Sequence, residues 1–474
     1  MAMKILSAMF LLACCAADAH SSAIPDDGSL FADGDTVVFF GDSITHGGRY
    51  HEFITDYYIT RFPRSRIRFV NSGVGGDTAC ASVIRIPDDI VPYSPTHVVF
   101  HFGMNDVKRR LYVKDMTPDR IAKAESARKM YERNFASLVS KVREATPRAS
   151  FIYMTPTPYD DTAIPTNVPP GATGWAVVNQ IGCNAALENF AHSVKRKARE
   201  DNVLSVDLMT PMKGVLDSRR RTDPHFMLTS WDRVHPKEAG HAIMSWVFLM
   251  AQGAPSTVSD IAVDIAATSV VFSANAEVSS IETSPDAVSF VVKAEAIPFP
   301  VPHQAREFLR RFDVEKRLNK EQLRVSGLSS GEWQFFIDSY FVGTYSAAEL
   351  SGGILLGFNE KTPQYRQAAE VFKAQEAVSS RERKVRDAHY VRWKYGRYTN
   401  VDDIPAFRKW AEDENNRRKG GIFAKYIPQY CEYWPEHKSI LASIFAEKEK
   451  VREMANPVAR HYRLLRTAKQ GDRR

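Results

Sequence analysis

Four apolar residues, Val37-Val38-Phe39-Phe40, run without a break and then give way to Gly41-Asp42-Ser43-Ile44-Thr45. An unbroken run of this length reads as a strand buried on both faces, as in parallel sheets covered by helices. Glycine and aspartate are disfavoured in strands, so the polar group marks the strand's carboxyl end. The pattern then repeats. Strands are expected at 37–40, 67–71, 97–102, 150–154 and 203–207, with helical patterns at 50–62, 122–144 and 182–200 between them. A helix over 239–252 closes the series. Alternation of this kind predicts an α/β domain over 35–255, a doubly wound parallel sheet in three layers.

A Gly/Pro/Ser linker, "QGAPSTVSD" at 252–260, separates this region from a second one of different character. Residues 261–296 alternate as antiparallel strands do, and "IPFPVP" at 297–302 is a rigid extended break. A β-hairpin is expected next, from 322–325 through a turn at 327–331 to 333–337. From Thr362 onward the pattern is helical and charged. Residues 256–474 therefore read as a smaller extension, β-rich first and helical afterwards. Its aromatic residues, Tyr390, Trp393, Tyr395, Tyr398, Trp410, Tyr426, Tyr430, Tyr433 and Trp434, interleave with Arg and Lys. Helices packed onto the first domain are the ordinary reading of such a pattern, and a surface contacting glycans or anions is the alternative.

Composition adds a compartment. Lys4 precedes an apolar stretch from Ile5 to Ala13, and Ala17-Asp18-Ala19 follows. This is the layout of a secretory signal peptide over 1–19, too short to span a bilayer, and it implies export to the periplasm or beyond. Leu11-Leu12-Ala13-Cys14 offers the alternative of a lipid anchor at Cys14, although Leu12 suits such a box poorly. No later segment is apolar enough to cross a membrane. Removal of the peptide leaves Cys80, Cys183 and Cys431, too few for a disulfide framework and without metal-type spacing. The net charge of +7 over 474 residues is mild, and nucleic acid is not expected as a partner.

The chemistry concentrates in four islands of the first region. They are Gly41-Asp42-Ser43-Ile44-Thr45, "NSGVGGDT" (71–78), "FGMND" (102–106) and "WDRVHP" (231–236). Three directly follow expected strands and the fourth precedes the closing helix, so a parallel sheet brings all of them to one rim. Acyl transfer needs a hydroxyl, a base and a group to orient that base. Ser43, His235 and Asp232 supply one each. It also needs donors aimed at a developing oxyanion. The backbone N–H groups of Ser43 and Gly76 and the side-chain amide of Asn105 are the candidates. Asp42 and Asp77 read as loop-fixing residues, through local backbone hydrogen bonds.

In their order and content the islands resemble the four blocks of the SGNH hydrolases, the GDSL esterase/lipase family. Here the blocks read GDSIT, GVGGDT, GMND and DRVHP, across about 35–255. The resemblance implies a flavodoxin-like sheet and no cofactor or metal. It implies Ser43 as nucleophile, Asp232 and His235 as the rest of a triad, and Ser43, Gly76 and Asn105 as the oxyanion hole. Many members carry glycine after the block's aspartate, where this chain has Arg233. Trp231 and Arg233 flank that aspartate and are candidates for substrate contact. The second region looks like an extension attached to some secreted bacterial members.

The expected substrate is a carboxylic ester, with acetyl groups on a polysaccharide as the leading candidate. A lipid-directed esterase of the lysophospholipase type is the rival, although no Leu/Ile/Phe-rich lid segment lies near the blocks. A non-catalytic glycan-binding protein on a hydrolase fold is the reading from another class. Gly327-Leu328-Ser329-Ser330-Gly331 satisfies the pattern of a different nucleophile, but its flanks read as strands, so Ser329 is expected in a turn. His225, His235 and His241 match no common metal spacing.

Overall fold

The computed structural model describes residues 31–163, 168–170 and 180–467. The expected signal peptide, with Cys14 and Cys15, lies outside the described residues. By contact density the chain forms two compact units. One holds residues 35–46 and 72–253; the other holds 32–34, 47–71 and the chain from Ala254 onward.

Five strands make the parallel sheet: β1 (Thr36–Gly41), β2 (Arg68–Gly73), β3 (His97–His101), β4 (Ser150–Met154) and β5 (Leu204–Val206). Their order is β2-β1-β3-β4-β5, that of flavodoxin-like sheets. The pairing of β1 with β3 sets Phe40 opposite Phe100 and Gly41 opposite His101, so both strands end level. The loops that begin there share one edge. All six residues of β1 are buried, as its unbroken apolar run requires.

The longer helices among these strands are, in chain order, α1 (Ser43–Gly47), α2 (Arg49–Arg61), α3 (Pro118–Ala145), α4 (Cys183–Asp201), α5 (Met209–Arg220) and α6 (Glu238–Ala251). Thr117 caps α3 by accepting the N–H of Arg120, and Pro118 occupies the first turn, where its missing N–H costs nothing. The buried residues of α3, including Tyr131, Phe135, Leu138 and Val142, recur at helical spacing. The Tyr131 ring stacks on Phe190 of α4 at 4.1 Å, which joins the two helices. Helix α2 belongs to the second unit and is buried almost throughout, its polar residues included. Its Glu52 is paired, accepting from Arg49 at 2.9 Å and also from Arg383. Burial holds the Glu52 carboxyl above its usual range, against the pull of these two guanidiniums.

The rest of the second unit begins with a β-sandwich. Its strands are β6 (Thr257–Asp264), β7 (Ser269–Ala274), β8 (Ala276–Thr283), β9 (Ala287–Ala294), β10 (Lys320–Ser326), β11 (Glu332–Ile337), β12 (Tyr340–Ser346), β13 (Ile354–Leu355) and β14 (Arg460–Arg466). One sheet runs β13-β10-β6-β7 and the other β12-β11-β14-β9-β8. A common core joins them, with Ile261, Leu323 and Val325 from the first and Phe290, Trp333, Phe335 and Leu464 from the second.

Two sequence expectations fail here. Residues 322–325 and 333–337 are not a hairpin, because β10 pairs with β6 and β13 while β11 pairs with β12 and β14. Both strands bury one face, and alternation alone does not say whether the neighbour lies beside the strand or across the core. The linking turn uses left-handed backbone at Gly327 (φ +78°) and a positive φ at Gly331, which lets the chain change sheets. The hairpin is β11–β12 instead. The chain's last segment is likewise not helical throughout, since β14 inserts between β11 and β9. Its signal is the period-two pair Tyr462 and Leu464, hidden among three arginines and a histidine.

The helices after β13 include α7 (Pro363–Tyr395), α8 (Ile404–Glu412), α9 (Ile427–Tyr433) and α10 (His437–Met454). Their aromatic residues spend their faces on one another. Tyr390 stacks on Phe423 at 4.5 Å, and Trp434 stacks on His437 at 4.1 Å and on Tyr430 at 5.1 Å. Tyr395 and Tyr430 are fully buried. No described helix is long and apolar enough to cross a membrane.

Candidate active site

β1 delivers Gly41 to the sheet edge, and Asp42 then turns the chain by accepting the N–H of Ile44 on its Oδ1 at 2.9 Å. Ser43 opens α1 on this turn. Burial pushes the Asp42 carboxyl up to about 6, opposed by that N–H and by the nearby charges of His235 and Arg109. The loop after β2 passes so close to α1 that a Cβ on Gly73 would run into the backbone of Thr45 and His46. Glycine is obligatory there for packing. Gly76 differs, for it takes a left-handed φ of +72° and a Cβ on it would meet nothing within 4 Å. At that position the requirement is conformational.

The fourth island is a folded-back loop. Thr229 bridges Pro236, the N–H of Ser230 donates to the His235 carbonyl at 2.7 Å, and that of Lys237 donates to Leu228 at 2.8 Å. Arg233 lies at its tip in the left-handed region, with φ +64°. A non-glycine residue there costs roughly 1–2 kcal/mol, which explains why glycine suits this position. The fold of the loop sets Asp232 against His235. Asp232 Oδ2 lies 2.5 Å from His235 Nδ1, and His235 Nε2 lies 2.8 Å from Ser43 Oγ. The other oxygen, Asp232 Oδ1, accepts from Ser230 Oγ at 2.6 Å, from Val234 N at 3.0 Å and from His235 N at 3.1 Å. Burial raises the Asp232 carboxyl, but His235 and these donors outweigh it and hold it far below the usual carboxylate range. Asp232 is thus a fixed anion beneath the imidazole.

The remaining islands are stitched together by hydrogen bonds. The N–H of Val74 donates to the Gly41 carbonyl at 3.0 Å, and that of Ala79 to Asp106 Oδ1 at 3.0 Å. Asn105 Nδ2 donates to the Asp77 carbonyl at 2.9 Å, which uses one of its two N–H groups. Burial raises the Asp106 carboxyl to about 7, with the charges of Asp42 and Asp77 adding to the effect.

Sequence reasoning missed the residue that joins these loops. Arg85 is buried and donates four hydrogen bonds: to Asp77 Oδ2 at 2.7 Å, Asp89 Oδ2 at 2.6 Å, the Ser72 carbonyl at 2.7 Å and the Gly41 carbonyl at 3.0 Å. Its guanidinium carbon lies 4.2 Å from the centre of the Phe40 ring. One side chain therefore holds the loop after β2 against the end of β1, a role suited to the planar fork of arginine. The signal was the i, i+4 pair Arg85 and Asp89, which spans from the cap to the end of the short helical turn Ile86–Asp89. Asp42 and Asp77 do fix loops, since Asp77 Oδ1 also accepts the N–H of Thr78 at 2.9 Å.

The structure separates the two substrate-contact candidates. Trp231 is half-buried, whereas Arg233 is buried near Asp160 and Tyr159, with its carbonyl accepting the Asp160 N–H at 3.1 Å. Ser329 lies in the exposed turn between β10 and β11, and among the described residues no histidine bonds its hydroxyl. No group of three His, Cys, Asp or Glu among the described residues is arranged to hold a metal. Cys80, Cys183 and Cys431 are free thiols.

The model of the GDSL-like lipase/acylhydrolase family matches residues 39–243, a span that contains all four islands. An acetylxylan esterase of Geobacillus stearothermophilus is 26% identical over 235 residues, covering 46% of this chain and 94% of that protein. The solved structure of a gut microbial diltiazem-metabolizing enzyme is similar along nearly the whole chain. It has a TM-score of 0.80 and 26% identity, and the match covers 92% of this chain and 99% of that one. With the parallel sheet and four blocks, residues 39–243 form a domain of the GDSL-like lipase/acylhydrolase family, the SGNH hydrolases, and the protein is a carboxylic ester hydrolase.

Proposed function

We propose that this protein is an exported serine esterase that removes short acyl groups, acetyl foremost, from a carbohydrate. Ser43 Oγ attacks the ester carbonyl as its proton passes to His235 Nε2, and Asp232 stabilises the imidazolium so formed. The oxyanion of the tetrahedral intermediate is met by the N–H groups of Ser43 and Gly76 and by the second N–H of Asn105. His235 then returns the proton to the departing sugar alkoxide, which leaves the acyl group on Ser43. A water molecule deprotonated by His235 cleaves that acyl-enzyme and releases the acid.

The observation that carries this reading is the unbroken chain from Asp232 through His235 to Ser43, at 2.5 and 2.8 Å. The acetylxylan esterase likeness supports acetyl and carbohydrate. So does the exposure of His235, whose side chain is 46% accessible, because a polymer needs an open site and a long acyl chain needs an enclosed apolar one. Export rests on the charged, apolar and small-residue pattern of 1–19. Of the two flanking residues we assign Trp231 to the sugar and Arg233 to holding the loop through Asp160.

The test is hydrolysis of nitrophenyl esters of two, four and eight carbons, and of acetylated xylo-oligosaccharides, by wild type and Ser43→Ala. The expected result is a preference for the two-carbon ester, acetate release from the oligosaccharide, and loss of both in the variant. A preference for eight carbons would move the reading to lipids. Failure of the wild type on every ester would make it a glycan-binding protein.

A further inference from the structure

A cleft of about 320 Å³ lies within the second unit, and no residue of the four islands lines it. It is formed by α2, the approach to β2, and helices α7 and α10. Its volume is at the lower end of the range for small-molecule sites, about 300–1,000 Å³, and suits one substituted ring. Three features of its lining point to one kind of occupant.

The first is charge. Arg66, Arg68, Lys448 and Arg452 line the cleft against a single acid, Glu449. Lys448 is engaged by Glu382 at 2.7 Å and Arg452 by Glu449 at 2.8 Å, while Arg66 pairs with Asp33 at the surface. Arg68 has no carboxylate partner among the described residues. Its guanidinium carbon sits 5.0 Å from the centre of the Phe445 ring. A guanidinium laid on a ring keeps its in-plane N–H fork for a planar acceptor, and a carboxylate matches that fork. Glu449 nearby opposes a dianion such as phosphate.

The second feature is the apolar part of the lining, from Ile59 and Phe69. The third is Gln375. It is 2% exposed and donates from Nε2 to Ser379 Oγ at 3.2 Å, while its Oε1 has no hydrogen-bond partner among the described residues. A buried carbonyl left unsatisfied costs about 1–3 kcal/mol, and a hydroxyl donor in the cleft would remove that cost.

We propose that this cleft binds a hexuronic acid, free or at the end of an oligosaccharide. Arg68 takes the carboxylate, the apolar lining takes the C–H face of the ring, and Gln375 accepts from a ring hydroxyl. The site is separate from the esterase centre and holds whether or not the esterified group is acetyl.

The test titrates full-length protein with glucuronate, using glucose, benzoate and inorganic phosphate as comparisons, by calorimetry or ligand-observed NMR. Glucuronate is expected to bind with a Kd of about 1 mM, ahead of all three. Arg68→Gln should weaken it about tenfold or more. Gln375→Leu should weaken glucuronate while leaving the melting temperature unchanged or raised, because it removes an unsatisfied acceptor. Turnover of nitrophenyl acetate by Arg68→Gln should match wild type, which separates loss of the cleft from loss of the fold. Benzoate binding as well as glucuronate would overturn the sugar, and glucose doing so would overturn the carboxylate. Phosphate binding as well would reduce the cleft to a general anion patch. No glucuronate binding, or affinity within twofold of wild type in Arg68→Gln, would overturn the proposal outright.

Discussion

Ser43 and Ser329 each follow a glycine just past the end of an apolar strand, and their surroundings differ in every respect that matters for chemistry. Ser43 follows β1, which is buried in the interior of a parallel sheet, and its hydroxyl meets His235 at 2.8 Å. Ser329 follows β10 in a turn that passes from one sheet of a sandwich to the other, and its carbonyl accepts the indole N–H of Trp333 at 3.1 Å, with no histidine on its hydroxyl among the described residues. A parallel strand ends at a rim where other strand ends also deliver loops, so partners from distant sequence converge. An antiparallel connection returns at once and gathers only neighbours. The lesson is that a glycine-serine motif acquires meaning from the sheet that delivers it.

The sharpest way to break this comparison is to remove each hydroxyl in turn. Ser43→Ala should lower kcat on nitrophenyl acetate by on the order of 10⁶, to the limit of detection. Ser329→Ala should leave both kcat and KM within twofold of wild type. Activity surviving the first substitution, or lost in the second, would reverse the assignment. Asp232→Asn should come next, with kcat falling by about three to four orders of magnitude while KM changes little, since the imidazole loses its anionic partner and its fixed tautomer. A steady-state comparison of the two constants checks this. A rise in KM alone would move Asp232 out of the reaction and into substrate binding.

Arg85 sharpens the comparison from below the site. Arg85→Met would leave Asp77 and Asp89 buried without a cation and release both Ser72 and Gly41. Breaking a buried pair in this way costs about 3–5 kcal/mol, far more than the pair contributes over an apolar replacement. The melting temperature should fall by several degrees, with kcat reduced at temperatures where the variant remains folded. Arg85→Lys, which keeps the charge but offers fewer in-plane donors, should fall between the two. Equal loss in both variants would mean that geometry and not charge is what Arg85 supplies.

The two units also differ in how far they were legible. All five parallel strands fall within two residues of their expected positions, because each is an apolar run bounded by residues that cannot extend it. The four islands were legible for the same reason, since polar residues behind such runs are conspicuous. Arg85 was not, because a lone arginine near an aspartate looks like a solvated surface pair until the fold buries both. In the sandwich, period-two alternation located β10 and β11 but read them wrongly as partners in a hairpin. Helix α2 shows a third kind of limit. Its buried Glu52 and Arg61 are matched by partners more than 250 residues away, Arg383 and the Leu318 carbonyl, and no local pattern encodes that.

The smallest expected effect contrasts the buried carboxylates of the two units. Asp232 is surrounded by donors and held ionised, while Glu321 on β10 has a single side-chain donor among the described residues, Gln364 Nε2 at 2.6 Å. Its Oε2 has no partner among the described residues. Burial pushes Glu321 up to about 7, with the charge of Glu315 also raising it and Gln364 and Arg61 opposing. The folded state then holds this proton more tightly than the unfolded chain, whose glutamates titrate near 4.3. The contribution of Glu321 to stability is therefore fully present below about pH 4 and is lost as pH rises through about 7. Glu321→Gln keeps the shape and the acceptor for Gln364 but cannot ionise. At pH 4 the variant and wild type should melt together. At pH 8 the variant should be the more stable, by about 2–3 kcal/mol, because it is spared the charge that wild type must bury. Melting curves at the two pH values decide the matter, and a difference that is the same at both would show that Glu321 is ionised throughout and paired by a group other than Gln364.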